Sequence, residues 1–145
     1  HERNNSFYRA LKDLVRPGSF VLDIGAGTGL LGMMAARAGA AKVVCCEKVE
    51  KLANCAEDII EANGLSGVVK VVHKYSCDMS VGPEHCWVAG YGLYDAPNRD
   101  MSGRADLLVS EIVDCGLLGE GVIPSVVHAR LHLLKPDAIL IPRAA

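Results

Sequence analysis

Val21-Leu22-Asp23-Ile24-Gly25-Ala26-Gly27-Thr28-Gly29-Leu30-Leu31-Gly32 is an apolar run of strand length that breaks into alternating glycines and then into helix-forming residues. Glycines let a backbone turn tightly and approach a ligand closely. A strand that turns through them into a helix forms the crevice at the switch point of a doubly wound α/β sheet. The next apolar run ends in Glu47, about twenty residues on, where a carboxylate accepts hydrogen bonds from two ribose hydroxyls. Both features predict an adenosine-containing ligand held at the carboxyl ends of parallel strands.

Gly27 to Gly32 also satisfies the dinucleotide expression G-x-G-x-x-G, which is weak by itself. The charge of the ligand separates the readings. A dinucleotide brings a pyrophosphate to the helix amino end, where the carboxylate of Asp23 would repel it. S-adenosylmethionine carries a sulfonium and an ammonium and no phosphate, so an acidic group beside the loop is complementary to it. A local role for Asp23, accepting hydrogen bonds from loop amides, is compatible with that binding.

Outward from the loop, strand-length apolar runs alternate with helix-period segments. Phe7, Leu11 and Leu14 predict a helix over Asn4–Val15, ended by Arg16-Pro17-Gly18. Strands are expected at Phe20–Ile24, Lys42–Glu47, Val68–His73, Ala105–Ser110 and Ala138–Ile141. Helices are expected at Leu30–Ala38, with Met33 and Met34 in the core, at Glu50–Asn63 and at Pro124–Leu134. In the Glu50–Asn63 helix, Leu52, Cys55, Ala56, Ile59 and Ile60 form the apolar face. Lys74–Arg104 dissolves into Gly, Pro, Asp and scattered aromatics and reads as a long insertion or lid. This rhythm implies an α/β, doubly wound, mostly parallel, Rossmann-like sheet built through right-handed crossovers.

The chain has 145 residues, half of them apolar, with 15 Lys+Arg against 17 Asp+Glu and a net charge of −2. It therefore reads as one folded domain over residues 1–145. No basic run offers a footprint for nucleic acid or an anionic membrane surface, and no apolar stretch approaches the ~18 residues of a membrane span. The amino end lacks a signal-peptide pattern, so the six cysteines read as thiols in a cytoplasmic or nuclear protein. His73, Cys77, His85 and Cys86 lack zinc spacing, and no metal is expected. His128 and His132, at helical spacing, read as surface or packing residues.

Three separated motifs resemble the protein arginine N-methyltransferases, a class I S-adenosylmethionine-dependent family. Val21 to Leu31, V-L-D-I-G-A-G-T-G-L-L, resembles their cofactor loop, with Glu47 where the family binds ribose. Ser110 to Gly121, S-E-I-V-D-C-G-L-L-G-E-G, resembles their double-glutamate loop. Arg3-Asn4 before Phe7-Tyr8 is similar to their amino-terminal helix. Val113-Asp114, Gly119-Glu120-Gly121 and His128 are most like the divergent members seven and nine, whose chains contain duplicated modules. The resemblance implies that Asp23, Gly25, Gly27, Gly29, Leu30, Glu47 and Lys48 bind the cofactor, that Arg3 holds its carboxylate, and that Ser76 or Cys77 lies near adenine. It assigns catalysis to Glu111 and Glu120. It implies arginine-containing protein substrates and a dimeric or pseudo-dimeric whole. Family members add a β-barrel that completes the arginine pocket, so residues 1–145 alone are expected to bind cofactor and methylate poorly. The alternatives are an NAD-dependent oxidoreductase fragment and a non-catalytic copy within a duplicated enzyme.

The residues themselves explain why paired glutamates suit this reaction. A guanidinium is planar, delocalised and cationic with a pKa above 12, hence a poor nucleophile. Charge-assisted hydrogen bonds to Glu111 and Glu120 would hold it and draw its charge toward them, leaving lone-pair character on one terminal nitrogen. Two glutamates in a glycine-containing loop are ordinarily solvated surface groups. Following a buried strand at the cofactor edge, with Gly116, Gly119 and Gly121 allowing the loop to fold back, they become a specific pair. Asp114 would buttress that loop.

Overall fold

The computed structural model describes residues 2–82, 99–112 and 121–142 in full, and strands 85–88 and 92–95 by their backbone. Helix α1 (Glu2–Leu14) seats Leu11 in the core and ends at the Pro17-Gly18 turn, where Gly18 has a φ of +89°. Strand β1 (Phe20–Ile24) leads through the glycines into α2 (Leu30–Arg37). Then follow β2 (Lys42–Glu47), α3 (Glu50–Ala62) and β3 (Val69–His73), with a 3-10 turn at Ser76–Asp78. An antiparallel hairpin pairs β4 (His85–Val88) with β5 (Gly92–Asp95). Strand β6 (Ala105–Ser110), helix α4 (Val122–His128) with a π-helical turn at Ala129–Leu133, and β7 (Leu134–Ile141) complete the chain.

The main sheet has the order β3-β2-β1-β6-β7 with every pairing parallel. From β1 the chain steps outward to β2 and β3 and returns to β6 on the other side of β1. The switch point is therefore the crevice between β1 and β6, beyond their carboxyl ends. Both faces of the sheet are covered: Val21, Val43, Cys45 and Val109 pack with Leu11 and Ile60, and Leu22, Val44, Cys46 and Leu108 pack with Met101 and Leu133. Burial on both faces is why these strands read as continuous apolar runs rather than as alternation.

Four expectations change. The helix expected over Pro124–Leu134 starts at Val122 and widens into the π-helical turn, which Arg104 ties to the strand that follows: its guanidinium donates to Leu131 O in the turn and to Leu134 O just beyond it. The last strand begins at Leu134, pairs with Ala105, and then slips register before Ile139 meets Leu107. Pro136 lies in that slip, and a proline has no amide to give a ladder. The insertion is shorter than the stretch to Arg104. Val81 bridges Met101, Gly82 N donates to Met101 O at 3.0 Å, and Met79 and Met101 are core residues. Single buried methionines among polar residues carry no periodicity, so the sequence hides them. In α3 the buried residues are Ala53, Ala56 and Ile60, leaving Leu52 and Cys55 exposed.

Gly32 sets how closely α2 lies on the sheet. A Cβ there would fall 2.2 Å from Sγ of the fully buried Cys45 on β2 and 3.4 Å from Val43 Cγ1, so helix or strand would have to shift. Gly32→Ala should therefore lower the unfolding free energy by about 1–3 kcal/mol, although alanine favours a helix over glycine by about 1 kcal/mol. Urea unfolding at neutral pH measures the sign, and a more stable variant would contradict this packing.

Candidate active site

A cavity of about 280 Å³ opens at the switch point, walled by the ends of β1, β2 and β3 and by residues after β6. The loop after β1 follows its edge because three glycines adopt left-handed φ values: Gly25 +73°, Gly27 +55° and Gly29 +80°. At Gly25 no side chain would fit, since a Cβ would sit 2.2 Å from Ile112 Cγ2. The loop is tied to β2 through Cys46 O, which accepts from Gly25 N at 2.9 Å and Ala26 N at 3.1 Å.

Glu47 joins the two loops. Its Oε2 accepts from Gly27 N and its Oε1 from Val49 N, both at 2.8 Å. The carboxylate is buried yet lines the cavity, and each oxygen keeps a further lone pair for a hydroxyl donor. Lys48, Val49 and Leu52 continue that wall. Leu52 and Val49 are exposed apolar residues there, offering a flat surface for an aromatic ring.

Asp23 lies beneath the loop. It is wholly buried and is not among the residues lining the cavity. Its Oδ2 accepts from Gly32 N at 2.9 Å and from the Cys45 thiol at 3.9 Å, while Oδ1 is buried without a partner among the described residues. Burial pushes its pKa up to about 7, against the pull of the Gly32 amide and with a further push from Glu47. The folded chain therefore keeps a proton that the unfolded chain releases above its ordinary value of 3.8. Its stability contribution is full below about pH 4 and is lost as pH rises through about 7, a change of a few kcal/mol. Asp23→Asn removes that titration. The stability of the variant relative to the wild type should rise between pH 4 and pH 8 in urea titrations; a constant difference would rule out a raised pKa.

Glu111 and Ile112, just beyond β6, form the opposite wall with Ser125 of α4. Arg3 of α1 reaches this rim, its Nη1 donating to Glu111 Oε1 at 2.8 Å. Beyond β3, Lys74, Tyr75 and Ser76 line the cavity. Lys74 is paired with Asp100 at 2.9 Å, and Ser76 Oγ donates to Ser125 Oγ at 3.0 Å. Burial works against ionisation of Asp100, but Lys74 and the Ser80 amide outweigh it and hold the carboxyl below its usual range.

The structure thus brings Gly25, Gly27, Glu47, Lys48, Ser76 and Glu111 to one cavity, with Arg3 at its rim. Gly29 shapes the loop and packs on Ile60, and Leu30 opens α2 at the surface. Cys77 points its thiol to Pro124 O rather than into the cavity lining. Glu120 and Asp114 lie outside the described residues, as do the side chains of His85 and Cys86. Of the other two in that cluster, His73 Nε2 sits 3.2 Å from Lys48 O. Among the described residues no group of three or more His, Cys, Asp or Glu could hold a metal ion, and no helix is long and apolar enough to cross a membrane. The His128 and His132 rings lie 4.8 Å apart. Lys74, Tyr75, Val49 and Ser125 escaped the sequence reading, and Leu52 was assigned to the core face of its helix; Lys74, Tyr75 and Val49 follow strand ends, where the switch-point rule directs attention, whereas nothing local marks Ser125.

Residues 1–85 match the family model described as ribosomal protein L11 methyltransferase (PrmA). That span includes the glycine loop and Glu47 and stops before Glu111. Over 144 residues, 99% of this chain and 36% of the relative, the sequence is 49% identical to "Arginine N(omega)-methyltransferase" of Streptomyces achromogenes subsp. streptozoticus. It is 41% identical over 150 residues to protein arginine N-methyltransferase 7 of Anopheles gambiae, again over 99% of this chain but 20% of the relative. The chain therefore spans about a fifth to a third of the length of these curated relatives. Among solved structures, the Trypanosoma brucei PRMT1 enzyme-prozyme heterotetrameric complex with AdoHcy superposes with a TM-score of 0.77 at 27% identity, over 97% of this chain and 38% of that one. Protein arginine methyltransferase 10 of Arabidopsis thaliana gives 0.75 at 28%, over 95% and 34%. The glycine loop clamped by Glu47 lies within the span of the family model, which takes in more than half of the chain, and the chain, similar over its whole described course to arginine N-methyltransferases, belongs to the methyltransferase family that this model describes.

Proposed function

We propose that residues 1–145 form an S-adenosylmethionine-binding domain and that the intact protein methylates a guanidinium nitrogen of arginine. The observation that carries this reading is the placement of Glu111 on the cavity that Glu47 and the glycine loop enclose, so that a carboxylate suited to a guanidinium shares a wall with a site suited to adenosine.

The residues present fit the cofactor. Glu47 has acceptor capacity for a ribose diol, Val49 and Leu52 give an apolar wall for adenine beside Lys48, and Ser76 offers a hydroxyl. Asp23, whose buried Oδ1 has no partner among the described residues, supplies negative potential under the loop when it is ionised, and a sulfonium and an ammonium above it would favour that ionised form. Arg3 is the guanidinium available to the amino-acid carboxylate. When bound, S-adenosylmethionine supplies an electrophilic methyl group on a sulfonium sulfur. Glu111, with Glu120, accepts the substrate N–H groups, fixes the guanidinium plane and localises its charge. Positioning of this kind is worth ~7–11 kcal/mol, so no strong base is required. Asp23, when ionised beneath the loop, would also disfavour a pyrophosphate above it, which sets NAD apart.

A second substrate reading has its own support: the 49% identical relative is named for arginine, without the word protein. Free arginine and arginine in a protein present the same guanidinium. The domain's buried thiols Cys45 and Cys46 suit a reducing cytoplasmic or nuclear setting, and a dimeric or pseudo-dimeric whole is part of the proposal.

Calorimetry with S-adenosylhomocysteine and with NAD tests the site, and methyl transfer by the intact protein to free arginine and to an arginine peptide tests the substrate. Binding of the homocysteine compound alone, with transfer to one of the two arginine forms, is the expected result. Binding of NAD alone would overturn the proposal.

A further inference from the structure

Three consecutive residues after β3 grip the start of α4. Ser76 Oγ donates to Ser125 Oγ at 3.0 Å, the Cys77 thiol donates to Pro124 O at 3.7 Å, and the Tyr75 hydroxyl shares hydrogen bonds with the Ser125 hydroxyl and the Cys77 thiol. Tyr75 also lies over Gly121, where a Cβ would stand 3.6 Å from its hydroxyl oxygen. The residue before Gly121 in the chain is Glu120. We propose that Tyr75 is a positioning residue for Glu120, its hydroxyl fixing the backbone at Gly121, one residue from that carboxylate. This rests on the proposed function and deepens it by one residue.

The polar groups of this clasp fit one directed chain. A hydroxyl has one proton to donate and lone pairs with which to accept. The order Ser76, Ser125, Tyr75, Cys77 and the Pro124 carbonyl uses each proton once and ends on a group that only accepts. Tyr75 is its middle link. Without the phenolic oxygen, Ser125 loses an acceptor and Cys77 a donor, and Ser125 is buried, so water does not replace what it loses. The start of α4 needs such a hold. Gly121 caps the helix in the left-handed conformation, φ +76°, with no side-chain cap, and the bond that opens the helix, Ser125 N to Gly121 O, is 3.2 Å long. A glycine restrains its own backbone less than any other residue, so the direction in which the chain arrives at Gly121 depends on what packs there. Among the described residues the side-chain atoms nearest the open Cβ position are the Tyr75 hydroxyl and Pro124 Cγ at 3.8 Å. Pro124 is part of the same helix, and Tyr75 ties that helix to the sheet.

Tyr75→Phe in the intact protein keeps the ring in the cavity wall and deletes only the hydroxyl. Methyl-transfer turnover should fall about three- to tenfold, the order expected for one neutral hydrogen bond with a buried partner, while KM for S-adenosylmethionine and affinity for S-adenosylhomocysteine stay at their wild-type values. Ser125→Ala cuts the chain at the next link and should lose turnover alike. The readout that separates positioning from a general structural role is the pair with Glu120. Added to Glu120→Gln, Tyr75→Phe should lower the single-turnover rate no further, because it acts through a carboxylate that is already gone. Thermal unfolding verifies that the variants are folded, and Tyr75→Phe, at a half-exposed position, decides alone should the buried Ser125→Ala fail to fold. Wild-type turnover in Tyr75→Phe would overturn the proposal, as would a loss seen only as weaker cofactor binding, or one that persists in full beside Glu120→Gln. Absence of methyl transfer by the intact wild type to either form of arginine would instead overturn the functional reading beneath it.

Discussion

Glu111→Gln in the intact protein is expected to lower methyl-transfer turnover by roughly a hundredfold or more, with affinity for S-adenosylhomocysteine within about threefold of the wild type. Glutamine keeps the size of the side chain and one carbonyl acceptor. It removes the negative charge that orients a cationic guanidinium, and it presents an NH₂ where the substrate also presents donors. On the proposed reading cofactor affinity is spared, because Glu47 and the residues after β3, proposed for ribose and adenine, stand on the other wall of the cavity. Glu120→Gln should behave alike if both carboxylates grip one guanidinium, and the double variant should then be little worse than either single one, since groups that act as a unit are strongly non-additive. Steady-state turnover and calorimetry on the three variants provide the check. Full activity in Glu111→Gln, or cofactor affinity lost in step with activity, would remove Glu111 from this role.

The second large effect is expected at Glu47. Glu47→Ala should weaken S-adenosylhomocysteine binding by ~1–3 kcal/mol, about 5- to 150-fold. Two losses combine: the ribose hydroxyls lose a charged acceptor, and the amides of Gly27 and Val49 lose theirs, so the loops after β1 and β2 are no longer held to one another. Glu47→Asp, with the charge retained on a shorter stem, should recover little, because it cannot span both amides. Unchanged affinity in Glu47→Ala, measured by calorimetry, would place the adenosine site elsewhere.

The strand, glycine loop and helix around Gly25, together with Glu47 at the end of β2, were legible in the sequence because their determinants are local. An apolar run between turn residues makes a buried parallel strand, and alternating glycines permit the left-handed turns found at Gly25, Gly27 and Gly29. The carboxyl ends of parallel strands border the crevice at the switch point, so a carboxylate at the end of β2 is placed there by position alone. The excursion after β3 was only half legible: Met79 and Met101 are single apolar residues whose burial comes from distant partners, so no period announces them. The same holds for Leu52, whose helical spacing suggests the core, while α3 buries Ala53, Ala56 and Ile60 and leaves Leu52 on the cavity wall.

The placement of charge belonged to the tertiary structure. Asp23 stands beside the glycines in sequence, yet strand alternation puts it on the face of β1 that α2 covers, and the close approach at Gly32 seals it from the cavity. Which face a helix covers depends on the crossover and its packing, and residue spacing along one strand carries neither. The meeting of Arg3 with Glu111, like that of Ser76 with Ser125, joins residues far apart in the chain. Such contacts follow from the order β3-β2-β1-β6-β7, which brings the end of β6 next to β1 and under the start of α1.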